Sequence, residues 1–318
     1  MVAQVALFTT TFYGNDEGSK VRKELARTFI RRGVERDYPV FVVDGGTDDG
    51  KFIDELNGLG ARAFRETQRG LGPSRREALE HAYRWARTNN VPYICWSEPE
   101  KVDFVGSIGE LVDVAGSQDV KLIVPARRSL ESYPEAQQWS EKFGNQLHTD
   151  AGYVDCHREP LDTFFGPKIW DTKMTPFFQV FGTQSERVAR ALGEMRYEKM
   201  KKSYNEAGIS SLAEHEKAVR DLVRTDHIQH MPVCLMALKH ETIFGKSLKI
   251  RDFPILSHTI DYQHPAVQTE LETRMQSTYN GKRLMQLGAL AEQFELVRKL
   301  HEGCVLDESL DKMLREAA

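Results

Sequence analysis

Cysteine is scarce in this sequence of 318 residues. The four cysteines, Cys95, Cys156, Cys234 and Cys304, are scattered and form no C-x-x-C pair. This spacing argues against a zinc knuckle and against a dithiol redox motif. It fits reduced thiols, so we expect a cytoplasmic protein.

Long hydrophobic runs are absent as well. The longest, Val2–Phe8 and Val40–Val43, fall far short of the roughly 20 residues that a membrane helix needs. The first run has no cationic flank and passes into a strand-like pattern, which argues against a signal peptide. The sequence therefore predicts no transmembrane segment.

A basic excess is also lacking. Lysine and arginine number 43 and aspartate and glutamate 47, which gives a net charge of −4. A general nucleic-acid binder usually carries a positive excess, because its affinity comes largely from neutralised phosphates. We expect no nucleic-acid partner, although a local basic patch is left open.

The first 125 residues alternate between short apolar runs and amphipathic stretches. Val5–Phe8 and residues 39–43 are continuously apolar, as is typical of strands buried on both faces of a parallel sheet. Val21, Leu25 and Phe29 recur at four-residue spacing and predict a helix over residues 19–32. Further strands are predicted at 61–64, 91–96 and 122–124, and further helices at 52–59, from Pro73 onward and at 111–115. This order predicts an α/β fold with a doubly wound, mostly parallel sheet and helices on both faces.

The pattern changes beyond about residue 130. Helix is predicted over 129–148, irregular structure over the Gly-, Pro- and aromatic-rich stretch 150–182, mostly helix over 184–226, one or two strands over 250–260, and helix over 263–316. We therefore divide the chain into an α/β half (1–128), a second half of the same domain (129–262) and a C-terminal helical extension (263–318). The apolar face of that extension, which includes Leu284, Leu287 and Phe294, packs on the domain or supports a homodimer.

Polar residues follow the first two predicted strands. Ligands of open parallel sheets bind outside the carboxyl ends of the strands. Thr9, Thr10 and Thr11 could hold a polar ligand there, or form an ordinary polar turn. Asp44, followed by Gly45, could accept hydrogen bonds from a ribose or a base, although aspartate and glycine are also good turn residues.

Two later loops complete this edge. Gly70-Leu71-Gly72-Pro73 precedes a helix that carries Arg75 and Arg76 in its first turn, an arrangement that favours phosphate. The loop lacks the third glycine of a dinucleotide fingerprint, so hydride transfer is a poor interpretation. After strand four, Glu98 and Glu100 offer hard oxygen ligands for Mg²⁺ or Mn²⁺ on a diphosphate, or form a solvated acidic turn paired with Lys101.

Taken together, residues 5–105 resemble the nucleotide-sugar half of the GT-A glycosyltransferases, close to glycosyltransferase family 2. Val43–Asp49 is similar to the V-D-D-G-S-x-D segment of that family, and Gly70–Ala78 is similar to its G-x-x-x-A-R-N-x-A segment. Glu98-Pro99-Glu100 stands where the family has its metal-binding D-x-D. The departure keeps the charge but lengthens each side chain, which leaves open whether both carboxylates hold the metal.

The resemblance implies a GT-A-like fold and a glycosyltransferase of hexosyltransferase type. A nucleoside-diphosphate sugar would be the donor, a small molecule or glycan the acceptor, and Mn²⁺ or Mg²⁺ the cofactor. It further implies that Thr9–Thr11, Asp44 and Gly45 hold the nucleoside, that Gly72, Arg75 and Arg76 serve the phosphates or orient the base, and that Glu98 and Glu100 hold the metal. Because similar enzymes use a late histidine as an additional ligand, His230 joins the metal set, although a surface histidine is the alternative.

No residue can be singled out as the catalytic base. Asp155, His157, Glu159 and Asp162 crowd one stretch, and any of them could deprotonate an acceptor hydroxyl or simply form a turn. Arg127-Arg128 could meet an anionic acceptor or lie on the surface.

Two other functions compete with glycosyl transfer. A nucleotidyltransferase on a related sheet would bind a nucleoside triphosphate and release pyrophosphate, but the glycine-rich, lysine-bearing loop that such enzymes favour after strand one is absent. A non-catalytic protein that binds sugar nucleotides would tolerate the altered acidic pair.

Overall fold

A seven-stranded mixed sheet organises the part of the chain that is described. The computed structural model describes residues 4–118, 120–150, 161–175 and 255–275, together with residues 280, 281, 283 and 287. Numbered along the chain, the strands are β1 (Val5–Thr11), β2 (Val40–Asp44), β3 (Arg62–Arg65), β4 (Tyr93–Trp96), β5 (Leu122–Arg127), β6 (Lys168–Asp171) and β7 (Ile255–Ile260). Their order across the sheet is β3-β2-β1-β4-β6-β5-β7.

Helices connect most of these strands, as the sequence predicts. They are α1 (Glu17–Val34), α2 (Lys51–Gly58), α3 (Leu71–Thr88), α4 (Ile108–Gln118), α5 (Glu135–Asp150) and α6 (Ala266–Arg274). The start of α1 is fixed by Asp16, whose carboxylate accepts a hydrogen bond from the Ser19 backbone N–H. The predicted strands and helices of residues 5–127 are confirmed, with boundaries shifted by a few residues.

The sheet is buried on both faces. One apolar layer joins alternate residues of β1 and β2 to α1, α2 and α4, with Phe29, Phe52 and Leu111 fully buried. The other joins the intervening strand residues to α3 through Ala78 and Ala82. Helices therefore cover both faces, and the predicted α/β sheet is confirmed.

The parallel pairing of the first strands gathers their carboxyl ends at one edge. β1 runs parallel to β2 with Thr11 opposite Asp44, and parallel to β4 with Phe8 opposite Trp96. The loops that follow β1, β2 and β4 consequently meet. This edge carries the residues that the sequence singles out.

The stretch beyond residue 160 differs from the prediction. The sequence predicts irregular structure over 150–182, but Lys168–Asp171 forms β6, antiparallel to both β4 and β5. Lys168 interrupts the apolar run that would have marked a strand, yet its side chain is buried. β7 adds a parallel strand beside β5, as predicted for residues 250–260.

Several predictions lie outside the described residues, among them the metal ligand His230, the helical stretch 184–226 and most of the apolar face near residues 284–300. Among the helices that are described, none combines the length and the apolarity needed to cross a membrane.

Candidate functional site

A cavity of about 710 Å³ opens at the carboxyl edge of β1, β2 and β4. Its volume is in the range of small-molecule and cofactor sites. We call it the first cavity. It is lined by Thr10, Thr11, Phe12, Tyr13, Arg22, Gly45, Gly46, Asp49, Arg65, Glu66, Arg69, Gly70, Ser74, Arg75, Trp96, Glu98, Pro99 and Glu100.

The structure separates the predicted ligand-binding residues into two groups. Those that line the first cavity are Thr10, Thr11, Gly45, Arg75, Glu98 and Glu100. Those that do not are Thr9, Asp44, Gly72 and Arg76. Thr9 is fully buried within β1, and Gly72 lies inside the first turn of α3, two residues after the cavity-lining Gly70.

Asp44 holds its own turn together. It has no exposed surface. Its Oδ1 accepts hydrogen bonds from the backbone N–H groups of Gly46 (2.9 Å) and Thr47 (2.7 Å). Its Oδ2 accepts hydrogen bonds from the hydroxyls of Thr11 (2.6 Å) and Thr47 (2.7 Å). The predicted direct contact between Asp44 and a nucleoside is therefore not what this geometry provides, because both oxygens point into the protein. Asp44 instead fixes the backbone of Gly45 and Gly46, which line the cavity.

The start of α3 forms the cationic wall of the first cavity. Gly70, at φ +128°, adopts a backbone conformation that favours glycine and turns the chain into the helix. Arg75 is buried, and its guanidinium lies 4.4 Å from the centre of the Trp96 ring. A helix N-terminus and a held guanidinium together favour an anionic ligand. The neighbouring Arg76 is not among the residues that line the cavity.

Glu100 is tied to the first helix. Its Oε1 accepts hydrogen bonds from Arg22 Nε (2.7 Å) and from the Tyr13 hydroxyl (3.2 Å). Burial and the charge of Glu100 raise the pKa of Tyr13 well above its ordinary value, so the phenol stays protonated and able to donate. The acidic tip at residues 98–100 thus has a fixed cation beside it.

Glu98 lies against a backbone that only glycine permits. A Cβ placed on Gly166 would lie 2.2 Å from Glu98 Oε1, and Gly166 has φ +89°. The amine of Lys168 donates to the carbonyl oxygens of Gly166 (3.2 Å) and Pro167 (3.1 Å). Burial lowers the pKa of Lys168 to about 8, against the opposing effect of Asp162 and Glu98.

A second cavity, of about 380 Å³, adjoins the first. The two share Arg22, Glu98 and Glu100, so the acidic tip forms the partition between them. The remaining wall of the second cavity comes from the N-terminus of α1, from α5, and from α6 with the residues around it. It includes His264, Gln268 and Glu272.

Lys101 belongs to the second cavity rather than the first. Its ammonium lies over the rings of Tyr133 (5.4 Å), Phe165 (5.4 Å) and Tyr262 (5.7 Å). Burial acts to lower the pKa of Lys101, but Tyr133 and Glu98 outweigh it, and the pKa is raised. Lys101 is therefore a fixed cation on the side of the tip away from the first cavity.

Arg127 and Asp162 do not have the roles considered for them from the sequence. The Arg127 side chain is fully buried and holds Asp162 through two contacts of 2.7 Å, besides an ion pair with Glu141. Burial alone would raise the pKa of Asp162, but Arg127 lowers it. A buried carboxylate paired in this way is a poor base, and Arg127 is not free to meet an acceptor. The other candidate bases, Asp155, His157 and Glu159, lie outside the described residues.

Arg22 and His264 are the residues that sequence reasoning missed. Arg22 lies within an ordinary amphipathic helix, and His264 is a single histidine far from any motif. Arg22 contacts the tip and His264 lines the second cavity, on two segments that are brought together where α1 packs against α6. No local pattern in the sequence predicts that either residue belongs to the site.

A divalent cation could bind to only a few of the residues that line the first cavity. In the described part of the chain, no three His, Cys, Asp or Glu side chains are grouped closely enough to hold a metal ion. Mg²⁺, however, is commonly held by one or two carboxylates with substrate phosphates and water completing its shell. Glu98 and Glu100, which line the first cavity, fit that mode of binding.

Comparisons with known proteins give distant structural likenesses only. No family model matches the chain, and no curated protein matches it. A glucosyl-3-phosphoglycerate synthase from Mycobacterium tuberculosis, solved with phosphoglyceric acid, is similar with a TM-score of 0.36 and 14% identity. That likeness covers 54% of this chain and 58% of the mycobacterial one, so the match spans a little over half of that enzyme.

Two further solved structures are matched over most of their length. A CMP:2-keto-3-deoxy-manno-octonic acid synthetase, solved with CTP, has a TM-score of 0.43 at 7% identity, over 88% of this chain and 99% of that one. A protein from Desulfovibrio desulfuricans assigned as a nucleotide-diphospho-sugar transferase has a TM-score of 0.39 at 10% identity, over 92% and 98%. All of these TM-scores lie below 0.5, so they do not identify a family.

Proposed function

We propose that this protein is a glycosyltransferase that moves a sugar from a nucleoside-diphosphate sugar to an acceptor hydroxyl. One observation carries the proposal: the N-terminus of α3 with Arg75 and the acidic tip, Glu98 to Glu100, line the same cavity at the carboxyl edge of a mostly parallel sheet. Such a cavity suits a diphosphate held between fixed cations and a carboxylate-bound metal ion.

The nucleoside has its place at the ends of β1 and β2. Thr10, Thr11 and the backbone of Gly45 and Gly46 offer polar groups there, while Asp44 acts from behind by fixing their positions. Phe12, 72% exposed at the rim, adds a flat apolar surface. Arg75 then meets the phosphates, and as negative charge grows on the leaving diphosphate its guanidinium stabilises that charge.

Mn²⁺ or Mg²⁺ is the proposed cofactor, with Glu98 and Glu100 as its protein ligands. When bound, such an ion withdraws charge from the diphosphate leaving group. His230, the third ligand predicted from the sequence, stays a prediction. The cytoplasmic location, the hexosyl donor and the homodimer also stay predictions.

Calorimetry and product analysis test the function together. Titrating the full chain with UDP- and GDP-sugars, with and without Mn²⁺, should give saturable binding to one nucleotide class that Mn²⁺ strengthens. Turnover should then release a free nucleoside diphosphate. Release of pyrophosphate from a nucleoside triphosphate would identify a nucleotidyltransferase instead. Binding without turnover, unaffected by Glu98→Gln or Glu100→Gln, would identify a non-catalytic protein.

A further inference from the structure

The second cavity reaches the same acidic tip from the opposite side. Because Glu98 and Glu100 line both cavities, a molecule in the second cavity lies next to the end of a donor diphosphate in the first. This relation rests on the proposed function, since it places an acceptor hydroxyl beside the bond that breaks.

A histidine and a glutamate in the second cavity form a coupled pair. His264 is only 5% exposed, and its Nε2 lies 3.2 Å from Glu272 Oε2. Its ring stacks on Tyr133 at 4.2 Å between centres, and its backbone N–H donates to the Ser132 hydroxyl. The imidazole is thereby held by Glu272 and Tyr133, and the backbone behind it by Ser132.

The other ring nitrogen of His264, Nδ1, is buried and has no hydrogen-bond partner in the part of the chain that the structure describes. Gln268 likewise has one paired and one unpaired polar atom. Its Nε2 donates to Glu272 Oε1 at 2.9 Å, while its own Oε1 has no partner within the described part of the chain. Two residues that line the second cavity thus carry buried acceptor atoms without a donor among the described residues, a condition that carries a free-energy cost unless a ligand supplies the donor.

Burial keeps the imidazole of His264 neutral near neutral pH. Burial, the largest effect, lowers the pKa of His264, and Lys101 lowers it further. Glu272 and, more weakly, Glu141 raise it, but the pKa remains below the ordinary value. A neutral imidazole that donates Nε2–H to Glu272 carries its lone pair on Nδ1.

We propose that the second cavity binds a neutral polyhydroxy acceptor and that His264, oriented by Glu272, takes the proton from the reacting hydroxyl. The hydroxyl donates to Nδ1 in the ground state. As its oxygen bonds to the anomeric carbon of the donor sugar, the bond from that carbon to the diphosphate oxygen breaks. The electron pair leaves with the nucleoside diphosphate, and the proton ends on Nδ1 of His264.

The class of acceptor follows from the cavity walls. Carboxylate side chains outnumber cationic ones by four to three, which disfavours an anion. Nδ1 of His264 and Oε1 of Gln268 are both hydrogen-bond acceptors without a donor among the described residues, so a ligand beside them should donate. Hydroxyl groups donate and accept at once, so a sugar or other polyol matches this lining.

Glycerol serves as the probe acceptor, and His258 provides a matched control. His258 also pairs with a glutamate, Glu110, at 2.9 Å, but it lines neither cavity. The assay uses the nucleotide sugar that the wild type binds and measures the rate at which nucleoside diphosphate is released, with and without glycerol. It is run on the wild type, His264→Gln, Glu272→Gln and His258→Gln. Calorimetry with nucleoside diphosphate and Mn²⁺ accompanies each variant, and circular dichroism checks its folding.

His264→Gln should lower glycerol-dependent release by about 100-fold or more while leaving nucleotide and Mn²⁺ affinity unchanged. His258→Gln should match the wild type. In the wild type the rate should fall as the pH drops through the pKa of His264. In Glu272→Gln this acid limb should move to lower pH, because the carboxylate that raises the pKa is gone. If Glu272 had a merely structural role, its replacement would not change the pH at which the rate falls.

Three results would overturn this inference. Glycerol-dependent release that survives His264→Gln within about threefold would show that another group takes the proton. Loss of Mn²⁺ or nucleotide binding in that variant would place His264 on the donor side. If the wild type binds no nucleotide sugar at all, the proposed function fails and this inference fails with it. Only the first two results leave the proposed function standing.

Discussion

Arg22 donates its Nε–H to Glu100 at 2.7 Å and so joins α1 to the acidic tip between the two cavities. The Glu100 side chain is 9% exposed, whereas that of Arg22 is 49% exposed. A cation that the protein itself supplies therefore lies where a divalent ion would approach Glu100. The neighbouring carboxylate raises the pKa of Arg22, so this guanidinium stays charged.

Replacing Arg22 should make the tip a better metal site. In Arg22→Gln, Glu100 loses its competing cation, and we expect Mn²⁺ to bind about threefold more tightly, or better, in the absence of nucleotide. Titration calorimetry with Mn²⁺ alone measures this. Arg31→Gln, on an exposed position of the same helix, is the control and should bind Mn²⁺ like the wild type. Weaker Mn²⁺ binding in Arg22→Gln would show that Arg22 shapes the tip and does not compete for it.

Asp44→Asn should affect the stability of the fold more directly than it affects nucleotide binding. The amide cannot accept all four of the hydrogen bonds that the carboxylate receives, so we expect the free energy of unfolding to fall by about 1–3 kcal/mol. Urea unfolding measures the change, with Asp113→Asn, at an exposed position of α4, as the control. A variant of normal stability with strongly reduced nucleotide affinity would instead favour the direct contact predicted from the sequence.

Lys168 gives the folded chain a distinct dependence on pH. Its pKa is lowered by burial to about 8, from an ordinary 10.5. Between these values the unfolded chain holds a proton on this amine that the folded chain has lost. The free energy of unfolding therefore rises with pH across this window.

Comparison with Lys168→Met isolates that effect. From about pH 7.5 to about pH 10, the stability of the wild type relative to this variant should increase by about 2 kcal/mol. Denaturant unfolding at several pH values measures it. The exposed Lys173→Met should show no such trend. A difference between wild type and Lys168→Met that stays constant with pH would mean that Lys168 keeps an ordinary pKa.

Comparing Arg75 with its neighbour Arg76 tests whether the contact with phosphate is specific to Arg75. Arg75 lines the first cavity and Arg76 does not. We expect Arg75→Gln to weaken nucleoside diphosphate binding by about tenfold, since a charge-assisted contact to phosphate is lost, and Arg76→Gln to change it little. Calorimetric dissociation constants distinguish the two. Equal losses in both variants would point to a diffuse electrostatic effect of this helix end and against a specific phosphate contact.

Much of the fold could be predicted from the sequence because β1, β2, β4 and β5 contain continuous apolar runs that alternate with amphipathic helices. β6 escaped prediction since it is short, follows Gly166-Pro167 and begins with a buried lysine, whose place depends on carbonyl groups that only the folded chain brings together. Burial by tertiary structure here overrides the local pattern.

The site was predictable in location more than in detail. The loops after β1, β2 and β4 meet as expected because parallel strands end at one edge, but sequence cannot tell where a side chain points. Asp44 is the clearest case, since a threonine three residues on lets the carboxylate close its own turn. Glu100 pairs with Arg22 and His264 stacks on Tyr133, both far away along the chain, so no spacing could indicate these contacts.

A crystal structure of the protein soaked with a nucleoside diphosphate and Mn²⁺ tests the central claim most directly. The account predicts a diphosphate in the first cavity within hydrogen-bond distance of Arg75, with the Mn²⁺ ion bound between that diphosphate and Glu98 or Glu100. A nucleotide bound elsewhere on the molecule, or a Mn²⁺ ion that avoids both glutamates, would contradict it.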